Sequence, residues 1–485
     1  MNAVARILDW PVTAPEDNPL VLWDSQSLAR AVKGTASAEF TVSGVEIDSR
    51  DVQPGDLFFA LKGEAMDGHR FVAAAFEKGA AAAVVDRPVD GPHILVADTM
   101  EALERLGAAA RARARGPVIG VTGSVGKTGV KEMIFAALDR ASRGDAHRSV
   151  KSYNNHVGVP LSLARMPARA RFGVFEMGMN HAGEIAALTR QVRPHVAIIT
   201  TIAPAHIEML GSEEAIAEAK AEVFQGLEEG GTAIIPADSP HCERLRAAAL
   251  ACGARVVSFG QSKDADVRLL DTVPAIGGGS LVTADMGDRR LCYTVAAPGE
   301  HQAINSLAVM AAVRAVNGDL GSAGVALAEM GGLAGRGARI EIAVAGGKAL
   351  LIDESYNANP ASMRATLAQL ARTPARRRIA VLGAMKELGS HGPDYHAALA
   401  GPVAEAGIDY AVLVGEEMGA LAAELGKSPV GALGKQVPFA HCANVQEAVE
   451  TLRAFGLERD DAILVKGSNS VGLAALVTAL SKQEG

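Results

Sequence analysis

Four cysteines are spread over 485 residues, and Cys242, Cys252, Cys292 and Cys442 share no zinc-type CxxC spacing. A reduced cytoplasmic protein is the plain reading. Positive charge is also short, with 47 Lys and Arg against 55 Asp and Glu for a net charge of -8. That balance excludes a general nucleic-acid or acidic-membrane partner, because both need clustered basic residues. No apolar run approaches bilayer length, so no membrane insertion is expected. The opening MNAVARILDWPVTAPEDN has no uninterrupted apolar core, and no secretory signal is expected from it. Internal repeats and low-complexity tracts are absent as well. What remains is 49% apolar and 21% charged, which suits compact domains. The length exceeds what one core organises, so two to four domains are expected.

Three blocks emerge along the chain. The first, 1–115, mixes short strands and helices, with Pro54-Gly55 as a turn between two apolar runs. The second, 116–332, opens with the buried strand PVIGV, a Gly-rich loop and a helix striped by Val130, Met133, Ile134, Ala137 and Leu138. FGVFEM, VAIITTI, TAIIP and RVVSFG follow as strands separated by helix-length segments, which implies a mainly parallel sheet covered on both faces. SLVTAD and LCYTVAA read as a hairpin, and a helix begins near His301. Gly331 to Arg339 lacks periodicity and reads as a hinge. The third block, 333–485, repeats the α/β pattern with ALLID, IAVLG, AVLVG and ILVKG. The fold class is therefore α/β, in three domains.

The loop Thr122-Gly123-Ser124-Val125-Gly126-Lys127-Thr128 carries the clearest chemistry. Gly123 and Gly126 let backbone N–H groups face phosphate oxygens, and the helix that follows adds its N-terminal dipole. Lys127 supplies charge to the outer phosphates and the Thr128 hydroxyl suits Mg²⁺. Val121 stands where the strict GxxxxGK[ST] pattern has its first glycine. Glu176 ends FGVFEM and His206 follows VAIITTI, which puts both at the carboxyl ends of parallel strands, where ligands bind in open sheets. Taken singly, Glu176 reads as a solvated carboxylate and His206 as a structural histidine. Lys220 falls on the apolar stripe Ile216, Val223, Phe224, Leu227 of a helix N-capped by Ser212. A lysine there either snorkels to an edge or is kept for its chemistry, and a buried neutral amine reacts with carbon dioxide to give a carbamate.

With these residues in place the chain resembles the Mur ligase family over nearly its whole length. The resemblance is carried by TGSVGKT, SYNNHVGVPLSLA, FEMGMN, APAHIEMLGSEEAIAEAKAEVF, GEHQAINSLAVMAA, GRGARIE and LIDESYNANPASM. It implies an N-terminal UDP-substrate domain, a central P-loop-type ATPase domain and a C-terminal Rossmann-like domain that binds the incoming amine. SYNANPASM followed by VLGAMKELG resembles the branch that joins D-alanyl-D-alanine to UDP-N-acetylmuramoyl-tripeptide. For this chain the resemblance implies Ser49 and Arg50 near the UDP moiety, and the loop 123–128 with Gly129 on the phosphates of ATP. Asn305, with Asn357 or Asn359, is implied at the adenine end and Arg336 at the transferring phosphate. Thr128, Glu176 and His206 are implied as Mg²⁺ ligands, with carbamylated Lys220 serving a second ion. Four positions depart from the family pattern: Gln302, Gly129, Glu354 and Asn469. Asn469 lies in the part that helps hold the amine.

The implied reaction is amide formation through an acyl phosphate, with Lys127, Lys220, His206 and Arg336 as its catalytic groups. Rival readings are another amide ligase of the family, one that adds diaminopimelate or extends folate, a P-loop kinase or NTPase, and a non-enzymatic nucleotide-binding module. No exposed apolar heptad pattern calls for an obligate assembly, so a monomer is expected.

Overall fold

The computed structural model describes residues 21–63, 66–204, 207–276, 278–427 and 436–482. Contacts among the described residues divide the chain into two compact units, one of 21–114 with 160–168 and one of 115–159 with 169–482.

In the first unit a five-stranded sheet runs in the order Thr35–Ala36, His93–Leu95, Ala82–Val85, Asp56–Phe59, Gly44–Glu46. All neighbours are parallel except the first pair. Gly55, at φ +90°, makes the expected turn into Asp56–Phe59 in a conformation that favours glycine. Phe58, Ala83 and Val85 pack with Val72 and Ala75 of the helix Val72–Glu77.

The second unit contains two sheets. The larger has nine strands, and its centre is Thr232–Pro236, Val196–Ile199, Val118–Thr122, Phe172–Glu176, all parallel. Ser280–Asp285 and Arg290–Val295 form the expected antiparallel hairpin at one edge. Val118–Thr122, a central strand that also contacts helices Lys127–Ser142 and Glu184–Val192, is buried along its whole length, and so it reads as a continuous apolar run. Helix Lys127–Ser142 buries Val130, Met133, Ile134, Ala137 and Leu138 against this sheet, the stripe anticipated from its spacing. Helix Glu300–Ala315 packs in the same core.

The smaller sheet has the order Ala338–Val344, Gly347–Glu354, Asp461–Lys466, Arg377–Gly383, Tyr410–Val414, Phe439–Cys442. Only its first pair is antiparallel. Separate apolar cores cover its two faces. The mainly parallel α/β fold expected from the alternating pattern is the fold observed.

Two local expectations need correction. The helix bearing Lys220 ends at Ala221 and tightens into the 3₁₀ turn Glu222–Gly226, so Val223, Phe224 and Leu227 do not continue its stripe with α-helical spacing. The segment read as a hinge is pinned rather than loose. Gly335 N–H donates to Asp353 Oδ2 at 2.7 Å, Arg336 N–H to the Leu333 carbonyl at 2.8 Å and Gly337 N–H to the Asp353 carbonyl at 2.8 Å. The strand Ala338–Val344 then begins inside the segment. Glycine content lowered the local signal there, while tertiary hydrogen bonds supplied the order.

Candidate active site

Both sheets of the second unit turn strand ends toward one cavity of about 530 Å³, lined by residues from each. The Gly-rich loop forms one wall. Gly123 at φ +144° and Gly126 at φ +86° hold backbone shapes that side-chain-bearing residues rarely adopt. Ser124 pins the loop to the next strand's exit, its N–H donating to the Thr201 carbonyl at 2.7 Å and its hydroxyl to the Ala203 carbonyl at 2.9 Å. The Thr200 hydroxyl donates to the Val125 carbonyl at 2.5 Å. Val125 and Gly129 also line the cavity. Lys127 folds back so that its ammonium donates to the Gly123 carbonyl at 2.7 Å. Burial pushes its pKa down and Arg336 adds to that, while Glu176 opposes both.

Glu176 is 1% exposed and fully engaged. The Thr128 hydroxyl donates to one carboxylate oxygen at 2.7 Å and the Asn154 amide to the other at 2.8 Å. Ser149 Oγ accepts from its backbone N–H at 3.1 Å. A carboxylate and a hydroxyl in direct contact are a hard-oxygen donor pair suited to Mg²⁺. Lys220 is 1% exposed, so snorkelling is ruled out. Its pKa is held well below that of an ordinary lysine by burial, and then by the charge of Lys127. Among the described residues no hydrogen-bond acceptor or carboxylate is paired with its ammonium, and no group of three or more His, Cys, Asp and Glu is placed to hold a metal. His206 lies outside the described residues.

The opposite wall comes from the smaller sheet. Arg336 donates from Nη2 to Ser152 Oγ at 3.2 Å and lies 4.0 Å over the Tyr356 ring. Asn305 is buried with its amide beside Gly126. Asn357 and Asn359 line the cavity, but their side-chain oxygens are already used. Asn357 Oδ1 accepts from the Ala358 N–H at 2.9 Å, and Asn359 caps helix Pro360–Arg372 by accepting from the Ser362 N–H at 2.9 Å. Ser49 and Arg50 lie in the first unit after the strand Gly44–Glu46 and are not among the cavity lining. The Arg50 side chain is exposed and paired with Asp48 at 2.6 Å.

Several lining residues were not anticipated from the sequence. Lys466 and Glu354 end adjacent strands in register, with Lys466 Nζ 3.4 Å from Glu354 Oε2 and donating to the Asn357 carbonyl at 3.0 Å. Burial pushes the Lys466 pKa down, and Glu354 counters it. The strand-end rule that drew attention to Glu176 applied equally to these two. His301 also lines the cavity, its pKa lowered by burial. Ser152 and Asn154 sit in a short loop with no periodic signal, and only the fold brings them to Thr128 and Glu176.

Three family models match in order along the chain: "Mur ligase family, catalytic domain" over 41–121, "Mur ligase middle domain" over 121–313 and "Mur ligase, glutamate ligase domain" over 338–469. The UDP-N-acetylmuramoyl-tripeptide--D-alanyl-D-alanine ligase of Synechocystis sp. is 35% identical, covering 92% of this chain and 93% of its own. The Escherichia coli ligase of the same name is 34% identical over 92% and 95%. A crystal structure of MurF from Acinetobacter baumannii superposes with a TM-score of 0.82 at 30% identity, covering 96% of this chain and all of that one. Motif order, fold and full-length likeness agree, and the chain belongs to the Mur ligase family.

Proposed function

We propose that the protein is an ATP-dependent ligase that joins D-alanyl-D-alanine to UDP-N-acetylmuramoyl-tripeptide, forming a peptide bond in peptidoglycan precursor synthesis. The observation that carries this reading is identity of 34–35% across 92% of the chain to ligases named for that reaction. The cavity supports it by uniting a phosphate loop, the buried Glu176 carboxylate and Arg336 from the turn that precedes the strand Ala338–Val344.

ATP would transfer its terminal phosphoryl group to the peptide carboxylate, leaving ADP and an acyl phosphate. The dipeptide amine then attacks the carbonyl carbon, a tetrahedral intermediate forms, and phosphate leaves as the amine proton is lost. The protein's task is charge neutralisation and alignment. Lys127 and the loop N–H groups of 123–128 would bind the phosphates, and Arg336 would meet charge developing on the migrating group. Asn305, Asn357 and Asn359 would flank the nucleotide base, the last two through backbone or amide nitrogen because their side-chain oxygens are engaged. Thr128, Glu176 and His206 would hold Mg²⁺. A carbamate on Lys220, reached by a buried neutral amine, would serve a second ion and offset the charge of Lys127. When bound, the ions supply charge neutralisation on the phosphate oxygens.

Residues 1–115, with Ser49 and Arg50, would take the UDP substrate, 116–332 would bind ATP and 333–485 the amine. A monomer in the cytoplasm, where ATP and UDP-linked precursors are made, fits these substrates. Among the described residues no helix is long and apolar enough to cross a membrane.

The test is phosphate release from ATP with UDP-N-acetylmuramoyl-tripeptide, comparing D-alanyl-D-alanine with diaminopimelate, lysine and no amine. Release that depends on D-alanyl-D-alanine is expected; equal release with diaminopimelate or lysine would move the assignment to another branch of the family.

A further inference from the structure

Arg336 is an unusual cation for its surroundings. Among the described residues no carboxylate pairs with it. Its guanidinium is held by a neutral hydroxyl, Ser152 Oγ at 3.2 Å, and by the face of Tyr356 at 4.0 Å. A carboxylate partner would compete with an incoming phosphate for the same N–H fork, whereas an aromatic face orients the fork and leaves its hydrogen-bonding edge free. The backbone around the pair is built for this contact. Gly335 sits at φ +71°, and a Cβ placed there would lie 2.9 Å from Tyr356 Cβ. Tyr356 N–H donates to the Gly335 carbonyl at 3.1 Å, and Gly335 N–H is fixed on Asp353. Lys466 donates to the carbonyl of the neighbouring Asn357 at 3.0 Å. Tyr356 is 37% exposed, and its hydroxyl has no hydrogen-bond partner among the described residues. Its ring face is therefore the part of the side chain that meets Arg336.

We propose that Tyr356 is a positioning residue for the phosphoryl-transfer step: its ring presets the Arg336 guanidinium toward the transferring phosphate without neutralising it. This rests on the proposed role of Arg336 at that phosphate. Steady-state ligase kinetics on the full chain test it with Tyr356→Phe, Tyr356→Leu, Arg336→Ala and the double variant Tyr356→Leu/Arg336→Ala. Tyr356→Phe retains kcat, since the face is intact. Tyr356→Leu lowers kcat about fivefold to thirtyfold, the range for loss of a partly desolvated cation–π contact, with the KM for ATP little changed. The double variant is no slower than Arg336→Ala alone, because the ring acts through the arginine. Three results overturn the proposal while leaving Arg336 in its role: full kcat in Tyr356→Leu beside a slow Arg336→Ala, additive losses in the double variant, or a raised KM for ATP with kcat retained in Tyr356→Leu. The last would mean that the ring binds nucleotide. If Arg336→Ala itself keeps full kcat, the underlying role of Arg336 fails, and the proposal falls with it.

Discussion

Three glycines within seven residues of the phosphate loop should respond to alanine in opposite ways. At Gly123 an added Cβ would overlap the Thr200 hydroxyl and approach the backbone nitrogens of Thr200 and Thr201 at 3.0 and 3.1 Å. That hydroxyl contacts the Val125 carbonyl at 2.5 Å and the Thr122 carbonyl at 3.3 Å. Gly123→Ala therefore displaces two hydrogen bonds, at about 1 kcal/mol each. It also forces alanine into a glycine-only conformation, at about 1–3 kcal/mol. The sum is about 3–5 kcal/mol, a large share of the roughly 5–15 kcal/mol that keeps a domain folded. Gly129 is the internal control. It lies in helix Lys127–Ser142, and nothing stands within 4 Å of the point its methyl group would occupy. Gly129→Ala should stabilise by about 0.5–1 kcal/mol through helix propensity. Gly126, at φ +86° with the Asn305 amide 3.1 Å from a new Cβ, should fall between. Urea unfolding of the three variants gives the stabilities, and the KM for ATP reports the loop. A Gly123→Ala protein with wild-type midpoint and wild-type KM would refute the packing argument, as would a Gly129→Ala protein destabilised as much as Gly123→Ala.

Lys220→Ala should cost about a hundredfold or more in kcat, on the scale of losing one electrostatic group from such a site. Added short carboxylates should restore part of it, and unaided full activity would remove the carbamate from the scheme. Glu176→Gln puts an amide against either the Thr128 hydroxyl or the Asn154 amide, both of which donate to the carboxylate. A higher Mg²⁺ requirement is expected, read by titrating phosphate release with the metal. His396 accepts the Met385 N–H at 2.9 Å on Nε2 and contacts the Gly392 carbonyl at 2.7 Å through Nδ1, so the neutral ring is the one that fits. Burial lowers its pKa in the folded state. The unfolded chain then binds the proton more readily, and this stability is complete above the unfolded value of about 6.5 and is lost as pH falls through the lower folded value. Urea midpoints between pH 8 and 5 should drop more for the native protein than for His396→Leu measured in parallel.

Much of the site was readable because it depends on local rules. The strand, glycines, lysine and threonine of 118–128 are consecutive, and the dipole and N–H geometry they need are made by the same short stretch. Lys220 was legible for a similar reason: Ile216 one turn earlier marks the inward face, and Ser212 caps the helix as its residue type suggests, accepting from Ala215 N–H at 3.1 Å. The caps at 357–359 were harder. An asparagine in a loop is equally suited to a ligand or to a helix end, and only the folded chain shows Asn359 spent on Ser362.

Local spacing was enough to specify the alternation of strands and helices, the phosphate cradle and the inward direction of Lys220, since each follows from a few neighbouring residues. Dispersed motifs, taken in order, were enough to specify the family. Which distant groups share the cavity is a matter of three-dimensional packing. Arg336 reaches Ser152 across 184 residues of chain, and Lys466 meets Glu354 across 112. Strand order sets those meetings, and strand order comes from burying apolar faces on both sides of each sheet, a global condition that no local pattern encodes. The same condition turned a glycine-rich stretch that reads as a hinge into a pinned turn, because the hydrogen bonds that fix it come from Asp353 on a neighbouring strand.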